Sequence, residues 1–147
     1  MQKLMTFLIL MAAACGCSHA PTTNTPSNSN AQDWAQATVE IHYVLRHSDR
    51  RLTLESDAQG VHGKSLVDGT QLKQCQVDAV HYQEFVSKVR NFISQRRSLA
   101  SADCRAPYTI TLKNQKDTLQ IQGCRTQDEG AFSHLVQEGE FLIYRQK

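Results

Sequence analysis

Val39-Glu40-Ile41-His42-Tyr43-Val44-Leu45-Arg46 decides the fold class. Apolar side chains at 39, 41, 43 and 45 alternate with Glu40, His42 and Arg46, the period-two pattern of a strand with one face in a core. Working outward, Ser48-Asp49-Arg50 reads as a turn, and Leu52 and Leu54 alternate with Arg51, Thr53 and Glu55 as an antiparallel partner. Residues 57–60 break the chain again. A weaker strand is expected over 61–67, Asp68-Gly69 is a tight-hairpin signal, and 70–76 returns as a short fourth strand.

Beyond this meander the period changes. Asp78 is placed to cap a helix by accepting from orphan backbone N–H groups. Over 79–95, Tyr82, Phe85, Val86, Val89, Phe92 and Ile93 fall at three- and four-residue spacing, so this is a long helix with one apolar stripe. The stripe reads as core packing against the sheet rather than as a ligand groove. Tyr108, Ile110 and Leu112, the turn Asn114-Gln115-Lys116, and Leu119 and Ile121 predict a hairpin. Residues 128–138 predict a short helix stopped by Gly139, and Phe141-Leu142-Ile143-Tyr144 a closing strand. The whole is an α+β domain over 34–147: a mostly antiparallel sheet of six or seven strands, packed by one long and one short helix.

The N-terminus is of another kind. Lys3 precedes an apolar run over 4–14, then Cys15-Gly16-Cys17-Ser18. A basic start, a short apolar segment and small residues before a cysteine make a secretory signal. The arrangement resembles the lipobox of bacterial lipoproteins. That resemblance implies removal of 1–16, acylation of Cys17 and a membrane anchor of several acyl chains, each methylene worth about 0.8 kcal/mol when buried. Cys15 is the alternative acceptor, since Ala12-Ala13-Ala14 precede it, and both sites lack the family's usual Leu three positions upstream. An ordinary signal cut near Ala20 is the remaining reading; the run is too short for a spanning helix. In the family an Asp after the acylated Cys retains the protein at the inner membrane. Ser18 therefore implies the outer membrane, with the domain facing the periplasm. Residues 17–33, rich in Thr, Asn, Ser and Pro, cannot bury enough apolar surface to offset ordering entropy and are expected to form a disordered tether.

Charge and cysteines narrow the function classes. A formal net charge of +2 gives no electrostatic case for nucleic acid. Export implies an oxidising compartment. Cys104 precedes the first strand of the last hairpin and Cys124 follows the second, so closing the hairpin brings them opposite one another for a disulfide. Cys75 is then the odd thiol: buried and free, a competitor for Cys124, or a partner between molecules.

Reactive residues are sparse. His42 and His47 lie five apart and would leave opposite faces of a regular strand, while His62, His81 and His134 sit on separate elements with no Cys or carboxylate at metal-ligand spacing; all read as surface residues. No nucleophile elbow, zinc-protease helix or phosphate-binding glycine loop occurs, so neither a catalytic residue, a metal nor a cofactor is expected. Asp128-Glu129 suits the positive end of a helix dipole. Arg96 and Arg97 at the end of the long helix, with Arg105 beyond, suit its negative end. They are also a possible anion-binding patch for lipid headgroups or an acidic partner.

The order of meander, Cys75 before a helix and then a hairpin is similar to that of small lipoprotein pilotins, which help place secretin rings in the outer membrane. It also resembles inhibitors of the emfourin type. These resemblances imply a non-enzymatic accessory lipoprotein that binds an envelope protein during assembly of a larger complex. The alternatives are a periplasmic protease or hydrolase inhibitor presenting loop 98–106, and a small apolar-ligand carrier or enzyme.

Overall fold

A computed structural model of the chain describes residues 34–98 and 104–145. Four strands come first: β1 (Thr38–Leu45), β2 (Ser48–Asp57), β3 (Gly60–Val67) and β4 (Thr70–Val77). Helix α1 (Ala79–Ser94), strands β5 (Pro107–Lys113) and β6 (Thr118–Cys124), and helix α2 (Glu129–Tyr144) follow. The six strands form one antiparallel sheet in the order β4-β3-β2-β1-β5-β6.

Period-two patterning assigns the faces. Val39, Ile41 and Tyr43 of β1, Leu52 and Leu54 of β2, and Tyr108, Ile110 and Leu112 of β5 are all buried on one side, where both helices pack. Glu40, His42 and Arg51 leave from the other side, with Arg51 Nε 3.2 Å from Glu40 Oε1. Each fully buried large apolar side chain contributes about 1.5–3 kcal/mol, so this single face carries most of the driving force.

The turns are set by backbone chemistry. Asp68 and Gly69 take φ of 49° and 78° between the paired Val67 and Thr70, the left-handed pair of a two-residue hairpin. The first turn differs from the sequence reading. Leu45 pairs with Ser48, and Arg46 and His47 carry φ of 51° and 70°. Ser48-Asp49-Arg50 is therefore strand rather than turn. The strand pattern wins because Arg50 and Leu52 must face the core side opposite Tyr43 and Ile41. One irregularity remains in the meander. Ser65 pairs with Lys73 and Leu66 with Gln71, which leaves Leu72 as a bulged residue.

Asp78 caps α1 as expected: its Oδ1 accepts from the N–H groups of Val80 and His81, each at 3.0 Å. The His81 N–H, ahead of the His81 ring, holds the Asp78 carboxyl below the usual carboxylate range.

The C-terminal segment corrects the reading at 139–144. Gly139 does not stop α2, which runs to Tyr144 and has the same 16-residue length as α1; the closing strand does not form. Leu135, Val136, Gly139, Leu142 and Ile143 are buried at the spacing of one helical face. Gly139 sits where α2 crosses α1, and a Cβ there would lie 3.2 Å from Phe85 Cζ. It serves close helix packing, not termination.

Candidate functional site

The candidate site is a groove of about 350 Å³ between α1 and α2. Crossing at Gly139 brings the helices close, and their outward-turned residues make the walls. Phe85 and Leu142 are buried beneath it, whereas Phe141 is 51 % exposed. The Arg145 guanidinium lies 4.8 Å from the Phe141 ring centroid. Lys88 Nζ spans the groove to Glu138 Oε1 at 2.8 Å, a solvent-exposed pair worth at most about 1 kcal/mol. His81 and His134 stand on opposite walls. His81 Nδ1 is 2.9 Å from the Asp78 cap, and Glu84 lines the α1 side. The groove offers an aromatic and aliphatic floor with a mixed-charge rim. That chemistry holds an apolar side chain and orients a polar neighbour. It contains no nucleophile hydrogen-bonded to a base.

The last hairpin closes as expected, with Cys104 and Cys124 bonded and their Cα atoms 5.7 Å apart. Among the described residues Cys75 is the free cysteine. Its thiol is directed at the end of α2, with Sγ 3.1 Å from the Ile143 carbonyl oxygen. Burial pushes its pKa up, partly offset by Lys73, so the thiol is held in its less nucleophilic form.

The arginines at the end of α1 do not share one role. Arg96 Nε donates to Asp128 Oδ1 at 3.2 Å, and its guanidinium lies 3.7 Å from the Phe92 ring centroid. Arg97 and Arg105 are exposed. Asp128 also departs from the simple helix-start reading. It makes no side-chain cap bond to α2, and its Oδ2 accepts from the Tyr108 hydroxyl at 2.6 Å. One carboxylate thus ties the end of α1, the start of β5 and the start of α2. Around it Tyr108 and Phe132 stack at 4.1 Å, and Phe92 meets Phe132 edge-on at 6.5 Å.

A second tyrosine–carboxylate pair lies further along α2. The Tyr43 hydroxyl donates to Glu140 Oε1 at 3.0 Å, with Arg50 Nη1 4.0 Å from the same oxygen. Tyr82 donates to the Ala37 carbonyl, anchoring the chain entering β1 to α1. Desolvation raises the pKa of Tyr43, Tyr82 and Tyr108, with Glu140 and Asp128 adding to the shift for Tyr43 and Tyr108. None of these partners lies at a sequence spacing that announces it. They became visible only once the helices were laid across the sheet.

The histidines remain dispersed. His42 contacts Asp49 and His62 Nε2 is 3.5 Å from Asp57, both at the surface. Among the described residues no group of three or more His, Cys, Asp or Glu side chains is placed to hold a metal ion. No helix among them is long and apolar enough to cross a membrane. Cys15 and Cys17, and most of loop 98–106, lie outside the described residues. No protein-family model, curated protein or solved structure matches the chain.

Proposed function

We propose that this chain is a lipid-anchored, non-enzymatic accessory protein of the bacterial envelope, acylated at Cys17, whose folded domain binds a protein partner. The observation that carries the reading is the N-terminal order of Lys3, the apolar run 4–14 and the small residues before Cys17. The Cys104–Cys124 bridge suits an exported domain. Ser18 rather than Asp favours the outer membrane, and residues 17–33, which lie outside the described residues, are read from their composition as the tether. The groove between α1 and α2 supports partner binding over catalysis: its half-exposed Phe141 is an anchor-type contact, and its rim lacks a nucleophile–base pair.

Two measurements test the two halves of this reading. Labelled palmitate should enter the native protein and should be lost in Cys17→Ser; unlabelled native protein would remove the anchor, and label retained in Cys17→Ser would move it to Cys15. Crosslinking from native membranes should recover an envelope protein that Phe141→Asp releases. Recovery of lipid alone would refute partner binding. Equal recovery by Phe141→Asp would move the contact away from the groove.

A further inference from the structure

The two edges of the sheet are unlike. At β6, Ser98 Oγ lies 3.3 Å from the Gln122 nitrogen and 3.5 Å from the Gln122 oxygen, so one hydroxyl occupies both outward backbone groups of that residue. The Cys104–Cys124 bridge ties the segment leading into β5 to the last residue of β6. Among the described residues, no segment pairs with the outer side of β4. Alternate residues of an edge strand turn their N–H and C=O groups outward, and a row of such groups matches another extended backbone.

The residues along β4 favour a second copy of this chain. Past the bulged Leu72, which is 58 % exposed, the regular stretch Lys73-Gln74-Cys75-Gln76-Val77 holds one charge and no proline. Antiparallel pairing about a two-fold axis at Cys75 sets Gln74 opposite Gln76 of the second copy, and Lys73 opposite its Val77. No like charges face each other directly in this register. The axis stands perpendicular to the sheet, so the helices of both copies stay on one face. The C-terminal end of α2, where the half-exposed Tyr144 reaches Ser65 of β3 at 3.0 Å, then comes beside the joint. A two-fold contact uses the same edge of both copies, so β4–β4 pairing closes as a dimer instead of growing into a filament.

We infer that this chain forms a two-fold dimer through antiparallel pairing of its β4 edge with the β4 edge of a second copy, continuing the sheet across both. This inference does not depend on lipid attachment or on the groove.

Sedimentation equilibrium of the full chain in density-matched detergent should give twice the chain mass. Gln74→Glu with Gln76→Glu places two pairs of carboxylates face to face across the joint. Within one copy Gln74 stands opposite Lys64, so a carboxylate at that position does not oppose the fold. This variant should dimerise roughly tenfold more weakly. Gln74→Glu with Gln76→Lys turns both facing pairs into opposite charges and should restore the dimer. A native chain that stays monomeric overturns the inference, as does a dimer indifferent to both charge patterns. A fold defect in the first variant, read by far-UV circular dichroism, leaves the native mass and the charge-paired variant to decide.

Discussion

Replacing Cys104 and Cys124 together by alanine should cost the domain about 3.3 kcal/mol, from the chain-entropy relation applied to their sequence separation of 20. The effect belongs to the unfolded chain, which gains the freedom that the bridge denies it. The native state should change little, because β5 and β6 already pair from Pro107–Cys124 to Lys113–Thr118 without help from the bridge. Urea unfolding separates these contributions. Trp34, 6 % exposed, reports tertiary structure by fluorescence, and far-UV circular dichroism reports the helices. At a slope near 2 kcal/mol per molar, the midpoint should fall by about 1.6 M with both probes coincident. Native Trp34 emission should be the same in the two proteins. A midpoint shift under about 0.5 M refutes the loop-entropy reasoning. A shift of the expected size accompanied by altered native emission would place the effect in the folded state instead.

Gly123→Ala should destabilise the domain by about 2–3 kcal/mol in the same urea assay, since the new Cβ falls 2.7 Å from Tyr108 Cε1 and nearer still to its Cζ and hydroxyl oxygen. Gly130→Ala, on α2 with nothing within 4 Å, should stabilise by up to about 1 kcal/mol. Stability should fall as pH climbs above about 10, by up to ~1.4 kcal/mol per pH unit for each of Tyr43, Tyr82 and Tyr108. Their folded pKa values are raised, so the unfolded chain releases these protons first; a flat urea midpoint between pH 9.5 and 11 would contradict this. Asp78 works in the opposite sense, because its folded pKa is lowered. The stabilisation it supplies is present above the unfolded carboxylate value and disappears as pH drops through the folded one. Asp78→Asn should keep the cap but flatten that part of the melting-temperature profile between pH 2 and 5, whereas Asp78→Ala should lose both.

Local patterning made most of the fold legible. Alternation over 39–45, the Asp68-Gly69 turn, the Asp78 cap and the stripe from Tyr82 to Phe92 each state a backbone preference within a few residues, and each element formed. Arg46-His47 escaped because non-glycine residues rarely take positive φ; pairing between the Tyr43 and Arg50 faces forces it there. The disulfide was legible because a hairpin turns sequence distance into spatial proximity. Nothing comparable exists for Asp128, whose partners Tyr108 and Arg96 lie 20 and 32 positions away on other elements. The groove was hidden for the same reason. Its walls come from two helices whose crossing depends on the missing side chain of Gly139.

Gly139 also determines which surfaces the domain leaves open. Had it ended α2, the apolar run 141–144 would have needed a place in the sheet. Ser98 already occupies the outward backbone groups of Gln122 on β6, so the place open to it was beside β4. As a helix, the run instead sends Leu142 and Ile143 down onto the sheet: a Cβ on Gly63 of β3 would lie 2.9 Å from Ile143 Cγ1. Phe141 and Tyr144 are left half-exposed. Reading glycine as a stop rather than as a point of close contact would therefore close the β4 edge and erase the groove together. The groove follows from one residue having no side chain where α2 meets Phe85, whereas the β4 edge stays open because the run 141–144 is helical. A bulky substitution there, such as Gly139→Leu, should push the helices apart and weaken groove binding. Dimerisation should persist at any urea concentration where the sheet stays folded, since the β4 edge does not touch the crossing. Parallel loss of both activities in a folded Gly139→Leu protein would show that the two surfaces are not independent.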